Sequence, residues 1–250
     1  MYDRGVWIAG ALVVVCACGR IGFAPDDTAS DAALSDASTP DATQVACEDL
    51  PGILFCDSFE NVTKLGTAET TAPGFVRIDG ERVFRGETSL HARTTQAPEA
   101  SWAIGGVLPS IESGELYARW YLYFPSSNPA RSIATIHLIG SITPFFGVIF
   151  GATEGAIDVS ASKDDALDIS DVPMPLDRWF CVQLRMTIGS SATVETWVDG
   201  TPAARLDNVD TQPMGGIANV HAGLFTAVVG GINDLWTDEL AIGAQPIDCL

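Results

Sequence analysis

The amino-acid sequence predicts an all-β domain, built as a sandwich or a barrel. Ten short segments rich in β-branched and aromatic residues follow one another, each ended by Gly, Pro, Asp or Ser. No window holds a helical period over three turns. Ten strands in about 200 residues is typical of a sandwich or a barrel. The predicted strands are GFVRIDG, TSLHART, SWAIGGVL, ELYARWYLYF, SIATIHLIG, FFGVIFG, WFCVQLRM, ATVETWVDG, VHAGLFTAV and LWTDELAIG.

The charge of the chain excludes some partners. Its 250 residues carry a formal net charge of −19, with 32 acidic and 13 basic residues. Nucleic acids and anionic membrane surfaces attract clustered Lys and Arg, so we expect neither to bind this chain. No Walker loop or GxGxxG sequence occurs, which argues against nucleotide chemistry.

The N-terminus has the pattern of an export signal. Arg4 precedes an apolar run from Val6 to Val15, which is too short to span a bilayer but fits a signal peptide. The run ends in VCAC, which resembles a bacterial lipobox with the small Ala17 before Cys18. We therefore expect a signal peptide over residues 1–17 and a diacylglycerol on the Cys18 sulfur. The alternative is an ordinary secretory signal with incidental cysteines.

A lipid at Cys18 would make the N-terminal anchor the only attachment to the membrane. Gly19, rather than Asp, follows that cysteine. By resemblance to other bacterial lipoproteins, we expect an exported protein of the outer membrane or cell surface.

Residues 18–46 are predicted to form a disordered tether. The part from Ala24 to Ala46 consists almost entirely of Ala, Asp, Ser, Thr and Pro, with no aromatic residue and no base. Such a segment cannot bury enough apolar surface to offset its chain entropy, and its like charges keep it extended. The folded domain is then residues 47–250.

Four cysteines lie in this domain, and an even number in an exported chain indicates disulfides. Three pairings are open. We prefer Cys47–Cys56, which closes a short loop, and Cys181–Cys249, which ties an internal strand to the last residues. A metal site is the rival interpretation, but the chain has no CxxC pair.

The order of several segments resembles one fold family. LFCDSFE opens the domain, and RGETSLHAR, LYARWYLYFP, RWFCVQLRMT, VETWVDGTP and LWTDELAIG follow in that order. This order resembles the concanavalin A-like lectin and glucanase family, particularly bacterial LamG-like domains. The resemblance implies a two-sheet antiparallel β-sandwich of jelly-roll type, with a hairpin turn at Asp199-Gly200. The family includes lectins, hydrolases, lyases and adhesion modules, so the fold leaves the function open.

The segment ELYARWYLYF contains the leading candidate for a ligand surface. Alternation places its aliphatic residues and Trp120 on one side, and on the other side Tyr117, Arg119, Tyr121 and Tyr123. Tyrosine rings stack on sugars and Arg holds carboxylates or hydroxyls, so this side is suited to a glycan.

Alternation in neighbouring strands adds His137, Arg185 and Trp197 to the same predicted surface, with Gln183 and His221 nearby. The alternative is an ordinary face with aromatic cross-strand pairs.

A catalytic alternative uses part of the same surface. Polysaccharide lyases of this fold use an Arg, a Gln or Asn, a His and a Tyr to neutralise a uronate and remove its C5 proton. Arg119, Tyr121, His137 and Gln183 supply these residue types. The sequence departs from the alginate-lyase pattern, because ARW and TIH stand where Arg-x-Glu and Gln-Ile-His are expected.

Other catalytic sets have weaker support. A retaining glycosidase would carry Glu-x-Asp-x-x-Glu on one strand, and VETWVDG has only Glu195 and Asp199. We interpret His91, in SLHAR, as a partly buried strand residue rather than a ligand.

The family resemblance also implies one structural calcium ion. Carbohydrate modules of this type often bind it between the first strand, a glycine carbonyl and an acid of the last strand. The matching residues here are Asp57, Glu60, Gly86 and Asp238. Their oxygens are suitable ligands for a hard cation. The alternative is a set of solvated acids at strand ends.

These observations favour a lipid-anchored envelope module that binds a polysaccharide or an extracellular protein through one sheet face. Two alternatives stay open: a lyase acting on a uronate-containing glycan, and a non-catalytic structural or adhesion protein. We lean towards a protein that is not an enzyme.

Overall fold

The computed structural model describes residues 47–60, 63–70, 73–95, 99–130, 132–140, 147–161, 164–212, 216–226 and 231–250. The chain divides into two compact units, and these residues belong to the second, Thr43–Leu250. The predicted signal peptide, Cys18 and the predicted tether lie outside the described residues. Within the described ranges, no helix is long and apolar enough to cross a membrane.

The described residues form an all-β domain, as the sequence predicts, with one turn of 3-10 helix at Cys47–Asp49. The strands are β1 (Ile53–Asp57), β2 (Thr67–Thr70), β3 (Phe75–Asp79), β4 (Ser89–Thr94), β5 (Glu99–Ile111), β6 (Gly114–Tyr123), β7 (Ile133–Gly140), β8 (Gly147–Thr153), β9 (Ala156–Ala161), β10 (Ala166–Pro173), β11 (Trp179–Ile188), β12 (Ala192–Val198), β13 (Thr201–Val209), β14 (Ile217–Thr226) and β15 (Asn233–Gly243).

The strands form two antiparallel sheets. The eight-stranded sheet has the order β13-β12-β11-β6-β15-β4-β3, and β1 also pairs with β15. The seven-stranded sheet has the order β10-β9-β8-β7-β14-β5-β2. The predicted two-sheet sandwich is therefore confirmed.

Strand β15 lies in the middle of the eight-stranded sheet. One edge pairs with β6, from Trp236 opposite Tyr123 to Gly243 opposite Tyr117. The first half of its other edge pairs with β4, and the second half pairs with β1. The last strand of the chain therefore joins the two halves of this sheet.

The core lies between the two sheets, and β6 shows how alternation builds it. Its inward side chains, with the adjoining Phe124, are 0–2% exposed: Leu116, Ala118, Trp120, Leu122 and Phe124. From the opposing sheet, Phe150 meets the indole of Trp120 edge-on, with ring centroids 5.2 Å apart. The prediction that this side of ELYARWYLYF faces the core is confirmed.

Two predicted local features are also confirmed. Asp199 and Gly200 both have positive φ (49° and 74°) between β12 and β13, the conformation that a two-residue hairpin turn requires. The disulfides are Cys47–Cys56 and Cys181–Cys249, the pairing that we preferred. Such disulfides are typical of exported proteins.

Candidate functional site

The C-terminal segment (residues 244–250) lies on the outer face of the eight-stranded sheet, where it covers part of β6. Arg119 Nη1 donates to the Asp248 carbonyl at 3.2 Å, and the Tyr121 hydroxyl lies 3.4 Å from the Leu250 carbonyl. Phe84, from the β3–β4 loop (residues 80–88), stacks on the Tyr121 ring at 3.7 Å between centroids.

As a result, Arg119 is 1% exposed and Tyr121 is 3% exposed. Burial lowers the pKa of Arg119 and raises that of Tyr121. This corrects the expectation that both residues belong to an open ligand surface. The physical reason is that the disulfide at Cys249 holds the C-terminal segment over them.

Tyr123 is separated from the rest of the predicted surface. The Arg82 guanidinium lies 4.2 Å from its ring centroid, and the rings of Trp179 and Trp236 lie edge-on at 5.8 Å and 5.9 Å. Tyr123 therefore belongs to a half-buried aromatic cluster with a packing role.

The predicted surface remains open at the other end of β6. A cavity of about 310 Å³ lies there, which we call the Trp197 groove. Its lining includes Tyr117, Gln183, Arg185, Trp197 and Ile247. The structure thus brings together three predicted ligand-binding residues and the Gln183 of the lyase alternative.

Strand register explains why these side chains meet. Arg185 on β11 lies opposite Tyr117 on β6 and opposite Glu195 on β12. Gln183, two residues away and thus on the same face, lies opposite Trp197. The indole of Trp197, on β12, and the phenol of Tyr117, on β6, therefore lie on the two strands that flank β11. Those strands are two strand spacings, roughly 10 Å, apart.

Polar contacts organise the groove. Gln183 Nε2 donates to the Ile247 carbonyl at 2.9 Å, and the Tyr117 hydroxyl donates to Glu115 at 2.6 Å. The Arg185 guanidinium donates to the carboxylates of Glu115 and Glu195. The hydrogen bond from Arg185 lowers the pKa of Glu115, so this carboxyl is ionised at neutral pH. The groove combines two aromatic surfaces with fixed hydrogen-bonding groups.

His137 lies on the other sheet. It is on β7, opposite His221 on β14, and the two rings lie 5.8 Å apart. Burial, and then the neighbouring His221, lower the pKa of His137 to about 3, so its imidazole is neutral at pH 7. Among the described residues, its buried Nε2 has no hydrogen-bond partner.

The four residues of the lyase alternative therefore do not meet. Arg119, Tyr121 and Gln183 lie in the eight-stranded sheet, whereas His137 lies in the seven-stranded sheet. The structure thus does not bring these four residues together as one catalytic set, and a lyase activity stays a prediction.

The carboxylates predicted to bind calcium accept hydrogen bonds from backbone amides. Asp57 accepts hydrogen bonds from the Phe59, Lys64 and Leu65 amides and from the Thr63 hydroxyl, and so closes a turn after β1.

Glu60 and Asp238 instead hold the β3–β4 loop. Glu60 accepts from the Glu87 amide at 3.0 Å, and Asp238 accepts from the Phe84 and Arg85 amides at 3.0 Å and 3.1 Å. Gly86 has a φ of +79°, and a Cβ there would lie 1.8 Å from a Glu60 oxygen. The carboxylates of Glu60 and Asp238 are therefore already hydrogen-bonded to backbone amides. The calcium ion stays a prediction.

A different group holds three residues of metal-ligating type close together, and no motif in the sequence pointed to it. The ligand atoms of Asp79, Glu81 and His91 all lie within 4.8 Å of one another. Burial alone would raise the pKa of Asp79, but hydrogen bonds from His91, the Glu81 amide and Arg77 outweigh it and lower that pKa. His91 is a buried strand residue, as predicted, yet it belongs to this group.

No family model and no curated protein matches the chain. Among solved structures, it is similar to the endo-β-1,4-glucuronan lyase of the fungus Trichoderma reesei, with a TM-score of 0.62 and 14% identity over 77% of this chain and 96% of that chain. It is also similar to the cellulose induced protein Cip1, with a TM-score of 0.59 and 17% identity over 78% of this chain and 100% of that one.

A third similar structure is that of botulinum neurotoxin type C, whose cell entry depends on interaction with two ganglioside molecules. The TM-score is 0.54 and the identity 10%, over 79% of this chain and 49% of that chain. At these identities the similarities show the fold alone. Together with the two antiparallel sheets, they confirm the predicted concanavalin A-like jelly roll.

Proposed function

We propose that the domain binds a neutral polysaccharide in the Trp197 groove. The observation that carries this proposal is the arrangement of Tyr117 and Trp197 on two strands that flank Gln183 and Arg185. Aromatic faces stack on the apolar face of a pyranose, while the amide, guanidinium and carboxylate groups satisfy its hydroxyls.

The charge of the groove favours a neutral glycan over a uronate. Arg185 is already paired with two carboxylates, Glu115 and Glu195, so it has little net attraction left for a third. The whole chain carries a net charge of −19, which repels a polyanion at a distance.

The proposal also places the domain outside the cell. We infer that a lipid on Cys18 anchors the protein to the outer membrane and that residues 18–46 hold the domain away from it. The two disulfides support export, because such bonds persist in oxidising compartments.

A lyase is the second candidate, and one observation favours it. His137 offers a buried nitrogen without a partner among the described residues, beside His221, on the outer side of the seven-stranded sheet. A neutral imidazole can accept a proton. With a pKa of about 3, however, it is a weak base. Polysaccharide binding without chemistry therefore remains our first proposal.

Affinity electrophoresis tests the proposal. The protein is run through gels that contain neutral or uronate polysaccharides, and each glycan is also assayed for the absorbance of an unsaturated product. We expect retardation in a neutral gel, and at least tenfold weaker binding by Trp197→Ala, equal to about 1.4 kcal/mol. Phe75→Ala, an aromatic truncation on the same sheet at β3, is the matched control and should bind normally.

Three outcomes contradict the proposal. Retardation that survives in Trp197→Ala moves binding away from the groove. A shift in uronate gels alone, with product absorbance that His137→Ala abolishes, replaces the binding module with a lyase. An absence of retardation in every gel leaves an extracellular protein as the partner, or a structural role.

A further inference from the structure

Strands β3 and β4 and the loop between them bring two carboxylates and one imidazole together on the outer face of the eight-stranded sheet. Asp79 Oδ2 lies 2.8 Å from His91 Nδ1, and Glu81 Oε2 lies 3.7 Å from the same nitrogen. An ionised carboxylate can only accept hydrogen bonds, and so can an imidazole nitrogen that lacks its proton. When Nδ1 carries no proton, the three atoms are all acceptors and repel one another unless a cation lies among them, whereas a proton on Nδ1 would be donated to Asp79.

The second nitrogen of His91 shows which tautomer the surroundings favour. His91 Nε2 lies 2.8 Å from Asp234 Oδ1. Asp234 is held in turn by the Arg93 guanidinium, with contacts of 2.6 Å and 3.1 Å. With the proton of a neutral imidazole on Nε2, that nitrogen donates to Asp234 and leaves the Nδ1 lone pair to face Asp79 and Glu81. Histidines that bind metals almost always donate their other N–H to a carboxylate or carbonyl in this way.

The imidazole is also fixed in place by packing. Trp236 stacks on the His91 ring at 4.1 Å, and Phe75 meets it edge-on at 5.0 Å. The His91 side chain is fully buried, whereas that of Glu81 is 52% exposed. An ion could therefore enter from the Glu81 side and keep water as a further ligand.

We propose that Asp79, Glu81 and His91 form a binding site for a single divalent transition-metal ion, with Zn²⁺ as the representative. One imidazole nitrogen and two carboxylate oxygens suit a borderline ion of this kind, whereas Ca²⁺ prefers oxygen ligands alone. Arg77 Nε also donates to Asp79 Oδ2, at 2.8 Å. A carboxylate oxygen has two lone-pair sites, so this contact can persist beside the ion.

Isothermal titration calorimetry of the metal-free protein with ZnCl₂ tests the site. We expect one Zn²⁺ per chain. Glu81→Gln removes one ligand oxygen at a half-exposed position and should weaken binding at least tenfold. Glu87→Gln removes the same charge from an exposed residue of the same loop, outside the group, and should change the affinity less than twofold. Asp234→Asn should weaken binding 10- to 100-fold, the range typical of a residue that orients a ligating histidine.

Two results would overturn the proposal. If Glu81→Gln and Glu87→Gln bind Zn²⁺ equally well, or if the unmodified protein takes up none at tenfold excess, a proton on Nδ1 holds the three acceptors together. If CaCl₂ displaces Zn²⁺ at equal concentration, the imidazole is not a ligand. Circular dichroism of each variant shows whether it is folded, so that a loss of Zn²⁺ binding is not mistaken for unfolding.

Discussion

At the scale of single residues, Asp238 is the carboxyl group whose burial has the clearest consequence. It is fully buried under the β3–β4 loop, and its oxygens accept from the Phe84, Arg85 and Glu239 amides. Burial raises its pKa to about 8, although these three hydrogen bonds act in the opposite direction. The protonated form is therefore favoured in the folded protein at neutral pH.

The raised pKa of Asp238 determines whether stability rises or falls with pH. Between pH 3.8 and about 8 the folded state binds more protons at Asp238 than the unfolded state does, so stability falls as pH rises. His137 acts in the opposite sense, because its pKa falls from 6.5 to about 3, and its effect ends near pH 6.5. Above pH 6.5 the loss of stability from Asp238 is therefore larger than the opposing gain from His137.

We predict that the free energy of unfolding decreases by about 1 kcal/mol between pH 6.5 and 8, because Asp238 is half ionised in the folded state at pH 8 and the remaining effect of His137 opposes the decrease. Urea unfolding in EDTA measures it. Asp238→Asn should remove most of this decrease, whereas Asp171→Asn, at an exposed carboxyl, should leave it unchanged. A wild-type protein that becomes more stable over this range would contradict the assigned pKa.

At the scale of elements, the C-terminal segment determines how much of β6 is accessible. It is attached through Cys181–Cys249, two cysteines 68 positions apart in sequence, whereas Cys47 and Cys56 are 9 apart. A disulfide that closes a longer loop removes more entropy from the unfolded chain.

We therefore predict that Cys181→Ser with Cys249→Ser lowers the free energy of unfolding by about 4 kcal/mol, and Cys47→Ser with Cys56→Ser by about 3 kcal/mol. Denaturant unfolding of the two double variants gives both numbers. The reverse order would mean that the N-terminal loop, and not the C-terminal segment, contributes more to stability.

Alternation along single strands predicted the elements well. It identified the buried side of β6, including Leu116 and Trp120, because one face of each strand must pack on the opposing sheet. It could not show that Arg119 and Tyr121 are covered. Their partners lie 129 residues further along the chain, at Asp248 and Leu250. A strand pattern separates two faces but does not show what lies over the outer one.

Because a strand pattern carries no information on distant contacts, it also could not show that the predicted site residues lie in two different sheets. Alternation assigned His137 and Gln183 to outward faces correctly, but it does not show to which sheet a strand belongs. The contacts of His91 could not be predicted from the sequence because its partners lie 12 residues away at Asp79 and 143 residues away at Asp234. Sequence spacing reveals a site only when its ligands come from one local motif.

At the scale of the whole molecule, the position of β15 affects how the chain acquires its fold. Strands β4 and β6 are made early, but β15, which lies between them, is made after all the other strands that the structure describes. Until it leaves the ribosome, both early strands have unpaired edges, and the sheet cannot close. Such long-range pairing makes folding slow, on the scale of milliseconds to seconds. The two halves of this sheet are thus expected to close only after β15 has been made, so the earlier strands wait in an open state for a late partner.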